Sequence, residues 1–84
     1  MVTLAEQFAK LRTALLSQAS DAEHYASIGA IASAEIAAKE GNASNMAQAL
    51  SALGAGGKWV VGIARDIGTE LAASALKSYV GLSP

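Results

Sequence analysis

The chain has no cysteine and a single histidine, His24. Disulfides and thiolate metal sites are thereby excluded, and one imidazole is too few for a conventional His-built metal site. Its only proline is the final residue, Pro84, so no interior position carries a built-in helix breaker. An excess of charge of one sign is missing too: seven acids against six bases leave a net charge of −1. That balance argues against an electrostatic nucleic-acid binder and against a polybasic membrane anchor. No window of about 18 residues is free of charged or polar groups, so a membrane-spanning helix is not expected. The start, Met1-Val2-Thr3-Leu4-Ala5-Glu6, lacks the basic opening and apolar core of a signal peptide, and the default expectation is a cytoplasmic protein.

Catalytic patterns are equally scarce. A nucleophile needs a base and an orienting third group, and His24 is the one obvious base. Asp21 and His24 share a helical face, but the paired Glu-x-x-His motifs of bundle metal sites are absent. Gly54-Ala55-Gly56-Gly57-Lys58 faintly resembles a phosphate loop, yet it lacks the full spacing, the following Ser or Thr, and a preceding strand. It reads as a hinge. The expectation is a non-enzymatic protein with no catalytic, cofactor-binding or metal residues.

What the chain does have is helix-forming residues, with Ala, Leu, Glu, Lys and Gln prominent. Thr3-Leu4-Ala5-Glu6 is a capping box, and Leu4, Phe8, Leu11 and Leu15 recur at steps of three and four. The stripe continues in small residues to Ile36, and Gly41-Asn42 ends it. This predicts a first helix over about 3–40, roughly 55 Å long. Ser20-Asp21-Ala22-Glu23 is a second capping box at which it would break, and Gly29 is a further weak point. A second helix is predicted over about 43–54, with Met46, Leu50 and Leu53 as its apolar edge. A Gly hinge follows at 54–57, then a third helix over about 58–80.

The two later helices together match the first in length. The predicted fold is therefore all-α: one domain over 1–84, an antiparallel helical hairpin of one long helix against two shorter ones, assembling into a multi-helix bundle. So small a domain is marginal alone, and without disulfides or metals the remaining support is association. A homo-oligomer, with a dimer favoured, or a helical protein partner is expected. Ala30, Ile31, Ala34 and Ala38 are the predicted flank for a second hairpin. Small-residue strips are predicted contact lines: Gly68, Ala72 and Ala75 on one helix, Ala22, Ala26, Gly29 and Ala32 on another. The predicted interface residues are Phe8, Leu11, Leu15, Ile28, Ile31, Trp59, Ile67, Gly68, Leu71, Ala72 and Tyr79. The alternative is a membrane-surface amphipathic helix, or a peptide precursor, using 58–80.

The second half also carries a pattern: Ala37-Ala38-Lys39-Glu40-Gly41-Asn42, then Leu50 to Trp59, then Ile63-Ala64-Arg65-Asp66-Ile67-Gly68-Thr69-Glu70-Leu71-Ala72. It resembles a C-terminal helical region that recurs in uncharacterised bacterial proteins, an Ala-Ala-Lys-x-Gly-Asn start followed by Gly-x-Trp and Ala-x-x-Ile-Gly. The likeness covers about half the chain and departs from the pattern at Gly54 to Gly57. It implies a bacterial or phage-derived origin and carries no activity with it.

Overall fold

The computed structural model describes residues 3–80, and among these it holds five α-helices and no strand. They are α1 (Leu4–Gln18), α2 (Ala22–Lys39), α3 (Ala43–Ser51), α4 (Gly57–Asp66) and α5 (Glu70–Val80), with a 3₁₀ turn at Gly54–Gly56. The all-α expectation holds. The long first helix does not: it breaks at Ala19, whose backbone turns extended (φ −68°, ψ 135°). The break falls near the predicted second capping box, but the cap is Asp21 and not Ser20. Asp21 Oδ1 accepts from the amide of His24 at 2.9 Å and starts α2.

Magnitudes explain the break. Interrupting a helix forfeits a few backbone hydrogen bonds, each worth about 1 kcal/mol net, and the Asp21 cap returns about 1 kcal/mol. Folding α2 back on α1 fully buries Phe8, Leu11, Leu15 and Ile31, at roughly 1.5–3 kcal/mol each. Burial wins. The described residues measure 31 × 24 × 23 Å with a radius of gyration of 11.2 Å, near the roughly 12 Å of a closed domain of this length. A hairpin with a 55 Å arm does not fit inside that.

The predicted third helix is also divided. Gly68 adopts φ +77°, a left-handed conformation that costs other residues about 1–2 kcal/mol. Around it Thr69 N donates to Ala64 O at 2.9 Å and Gly68 N to Arg65 O at 3.1 Å, the paired bonds of a Schellman cap. The end of α2 repeats this. Gly41 has φ +69°, Asn42 N donates to Ala37 O, and Gly41 N donates to Ala38 O. At this corner the next residue at once opens the following helix: Asn42 Oδ1 accepts from Asn45 N at 3.0 Å.

At the other corner Thr69 is buried and its hydroxyl donates to Ala64 O, so it is turned away from the start of α5. Gln7 takes over: its Oε1 accepts from Ala72 N at 3.0 Å, from 65 residues away in the chain. The Gly hinge becomes the 3₁₀ turn, and α4 begins inside it at Gly57.

α1 packs chiefly against α2, and α2 against α3, while α5 touches α1, α3 and α4. One core joins all five helices through Phe8, Leu11, Leu15, Ile31, Leu50, Val60, Ala64 and Leu76. Small residues do allow close approach: Ala72 of one predicted strip is fully buried and Ala75 packs partly buried against the core, whereas Ala22, Ala26 and Gly29 of the other are exposed. A Cβ at Gly29 or Gly68 would meet nothing within 4 Å. The tight place is Gly56, where a Cβ would run into the hydroxyl of the buried Ser27.

Candidate interaction surface

Most of the predicted interface residues lie in the chain's own core. Phe8, Leu11, Leu15, Ile31 and Ala72 are fully buried and Ile28 nearly so. All six belong to one core cluster: Phe8, Leu11 and Leu15 on α1, Ile28 and Ile31 on α2, and Ala72 near the start of α5. Their apolar spacing is therefore satisfied within one chain, which is the correction the structure makes to that set. Ile67 is half-buried at the end of α4. Gly68 is exposed at the corner, and its conformation rather than any contact accounts for it. Leu71 is 49% exposed. The side chain of Tyr79 lies outside the described ones.

Trp59 is half-buried and stacked on His24, with ring centroids 3.8 Å apart and planes 10° from parallel. The His24 ring is held at a defined angle because its Nδ1 accepts from Ser20 N at 3.1 Å. The α1–α2 corner and the start of α4 are thus joined by one aromatic contact. His24 serves as a structural joint between segments that the sequence places far apart.

Charge is organised around Glu35. Its carboxylate is buried between Arg12 Nε at 2.9 Å on Oε1 and Lys39 Nζ at 3.2 Å on Oε2. The hydrogen bond from Arg12 is the main reason its acidity is raised, holding the carboxyl below its usual range, with Lys39 adding to it against the cost of burial. The pin ties the middle of α1 to the far half of α2. Among the described residues no group of three or more His, Asp or Glu is placed to hold a metal ion.

Two surface features remain. A groove of about 480 Å³ runs between the start of α1, the end of α2 and the start of α3, floored by Leu4, Ala37, Ala38 and Met46. The second is the outward side of α2. Tyr25 and Ile36 are each 57% exposed, and Ala22, Ala26, Gly29 and Ser33 between and beside them are exposed as well. The predicted flank of Ala30, Ile31, Ala34 and Ala38 is the opposite, inward side: Ile31 and Ala34 are fully buried. The predicted small-residue strip of Ala22, Ala26, Gly29 and Ala32 falls largely on this outward side, but the exposed large side chains beside it, Tyr25 and Ile36, are not among the predicted interface residues.

The fold and surface define a small all-α bundle with a closed core and one weakly polar helix face. Comparison with known protein families, curated sequences and solved structures gave no match. Among the described residues no helix is long and apolar enough to cross a membrane.

Proposed function

We propose that the chain is a non-enzymatic helical module that acts through self-association or by taking a partner helix on the outward face of α2. One observation carries this reading. α2 buries Ile28, Ile31, Ala34 and Ala37 on its inner side, yet the large apolar side chains of Tyr25 and Ile36 stay exposed on the other. Exposed apolar side chains grouped on one face mark a candidate contact site. From Ala22 to Ile36 the outward stripe holds no charged residue, and depletion of charge marks the core of a protein interface. Covering what remains exposed of Tyr25 and Ile36 is worth about 1 kcal/mol each.

The alternative, a membrane-surface helix over 58–80, has less support. The apolar side it needs is turned inward at Val60, Ile63, Ala64 and Leu76, and the segment is bent at Gly68. Amide chemical shifts recorded over a dilution series test the reading. Shifts that move along 22–40 and nowhere else are expected. Should neither concentration nor an added amphipathic helical peptide move the α2 amides, the outward face is not a docking surface.

A further inference from the structure

We infer that the α1–α2 corner is a hinge on which α1 exchanges between two copies of this chain. In the exchanged pair, residues 4–39 of each copy form one continuous helix, roughly 54 Å long, and each α1 lies in the core of the other copy. The corner itself points to this. The three later turns each contain a glycine in the left-handed region, Gly41, Gly54 and Gly68. The α1–α2 corner has none. It is made of Ala19, Ser20 and Asp21, and no residue in it has a positive φ. Ala19 already holds a helical φ of −68° and leaves the helix only through its ψ of 135°. Alanine is also the residue that favours the helix most.

The hydrogen bonds that hold the corner closed are local and exposed. Asp21 Oδ1 accepts from His24 N at 2.9 Å, and His24 Nδ1 accepts from Ser20 N at 3.1 Å. A helix running through the corner gives up both. In return it supplies backbone acceptors to the amides of Ala22 and Glu23, which the start of a helix leaves without one.

The partner is a second copy because the cleft that α1 leaves is moulded to α1. Phe8, Leu11 and Leu15 are fully buried in it. Gln7 Oε1 accepts from Ala72 N at 3.0 Å, and Arg12 Nε meets Glu35 Oε1 at 2.9 Å. A chain that straightens by itself exposes those apolar side chains. Because α2 folds back along α1, two straightened chains related by a dyad at the corner lie antiparallel and give each other the same contacts. The pair is closed and self-complementary, and short hinge loops invite such exchange. α1 must leave the core to exchange, so the step is slow and either species persists once formed. The outward face of α2 takes no part, and the exchange is independent of docking there.

The test refolds the chain from urea at about millimolar and at about micromolar concentration, then brings both to the lower value for size-exclusion chromatography. The concentrated sample should give a dimer that survives the dilution, and the dilute one only monomer. A Glu6→Cys/Ser33→Cys chain reads the distance within one copy, since the protein has no cysteine of its own. It is spin-labelled and refolded with an excess of unlabelled chain. In the closed chain the start of α1 and the end of α2 line one groove, and the longest extent of the fold is 31 Å. In the straight helix the two sites stand about 40 Å apart, and the dimer should show that distance.

Ser20→Ala/Asp21→Ala removes the cap and favours the straight helix. Loss of one cap is worth about fivefold, and each dimer opens two corners, so the dimerisation constant should rise about 25-fold. Ala19→Gly/Ser20→Gly opposes a helix through the corner and should stay monomeric, with the parent's helical circular dichroism. If the parent and the Ser20→Ala/Asp21→Ala variant are both monomeric at every concentration, the exchange is overturned. A dimer whose labels keep the closed-chain distance overturns it too, because its copies then associate without trading α1. A glycine variant that dimerises as readily as the parent overturns the corner as the hinge.

Discussion

Two glycines of the same predicted helix, Gly62 and Gly68, should respond to alanine with opposite signs. Gly62 lies inside α4, exposed, with nothing within 4 Å of an added Cβ. Gly62→Ala therefore gains helix propensity without a steric cost, about 0.8–1 kcal/mol. Gly68 also has open space around it, but its φ of +77° is the corner between α4 and α5. Gly68→Ala should cost about 1–2 kcal/mol, because the corner bonds from Thr69 and Gly68 to Ala64 and Arg65 hold that conformation. In a domain of this size 1 kcal/mol moves the melting midpoint by about 4–8 °C. Thermal melts of the two variants should thus separate in opposite directions from the parent. If 58–80 were one continuous helix, both substitutions would stabilise by similar amounts, and a raised midpoint for Gly68→Ala would refute the corner.

Glu35 gives a prediction in pH. Its folded-state acidity is raised, so its proton affinity is lower folded than unfolded. The pin therefore contributes fully above the unfolded carboxylate range, about pH 4.5, and that contribution is lost as the pH falls through the lower folded value. Urea titrations at pH 7 and pH 3 should show Glu35→Gln costing about 1–2 kcal/mol at the higher pH, a modest figure because Arg12 and Lys39 are partly exposed. An equal cost at both pH values would count against the pin. Gln7→Ala should cost about 1 kcal/mol by uncapping α5, and faster amide exchange at Ala72 would locate the loss. His24→Ala should leave Trp59 more solvent-exposed, with a red-shifted emission maximum, and unchanged emission would argue against the ring stack.

Local signals placed the helix ends well where the partners are close in sequence. Thr3 with Glu6 and Gly41 with Asn42 act as their residue types foretell. Ser20-Asp21 was readable as a competing start, but whether it breaks the helix depends on the burial of Phe8, Leu11 and Leu15 against α2, which no local pattern reports. Gly68 looked like an isolated glycine inside a helix because its corner is completed from elsewhere, by Gln7 on Ala72. The surface was harder still. In α2 polar residues are spread around the helix and two of them, Ser27 and Glu35, are buried, so periodicity alone does not say which side turns inward. The sequence therefore pointed to Ile31 and Ala34, where the fold exposes Tyr25 and Ile36. Core and exposed apolar residues share one alphabet here, and only packing separates Leu11 from Ile36.

The central claim is that the chain closes its own core and leaves the outward face of α2 for another helix. Sedimentation velocity on the parent and on a Tyr25→Lys/Ile36→Lys double variant tests it most directly, with a thermal melt beside each. The account predicts a parent whose sedimentation coefficient rises with concentration, and a variant that stays monomeric with a melting midpoint close to the parent's. A variant that unfolds would place these side chains in a core, and one that associates like the parent would place the contact elsewhere. Either result contradicts the claim.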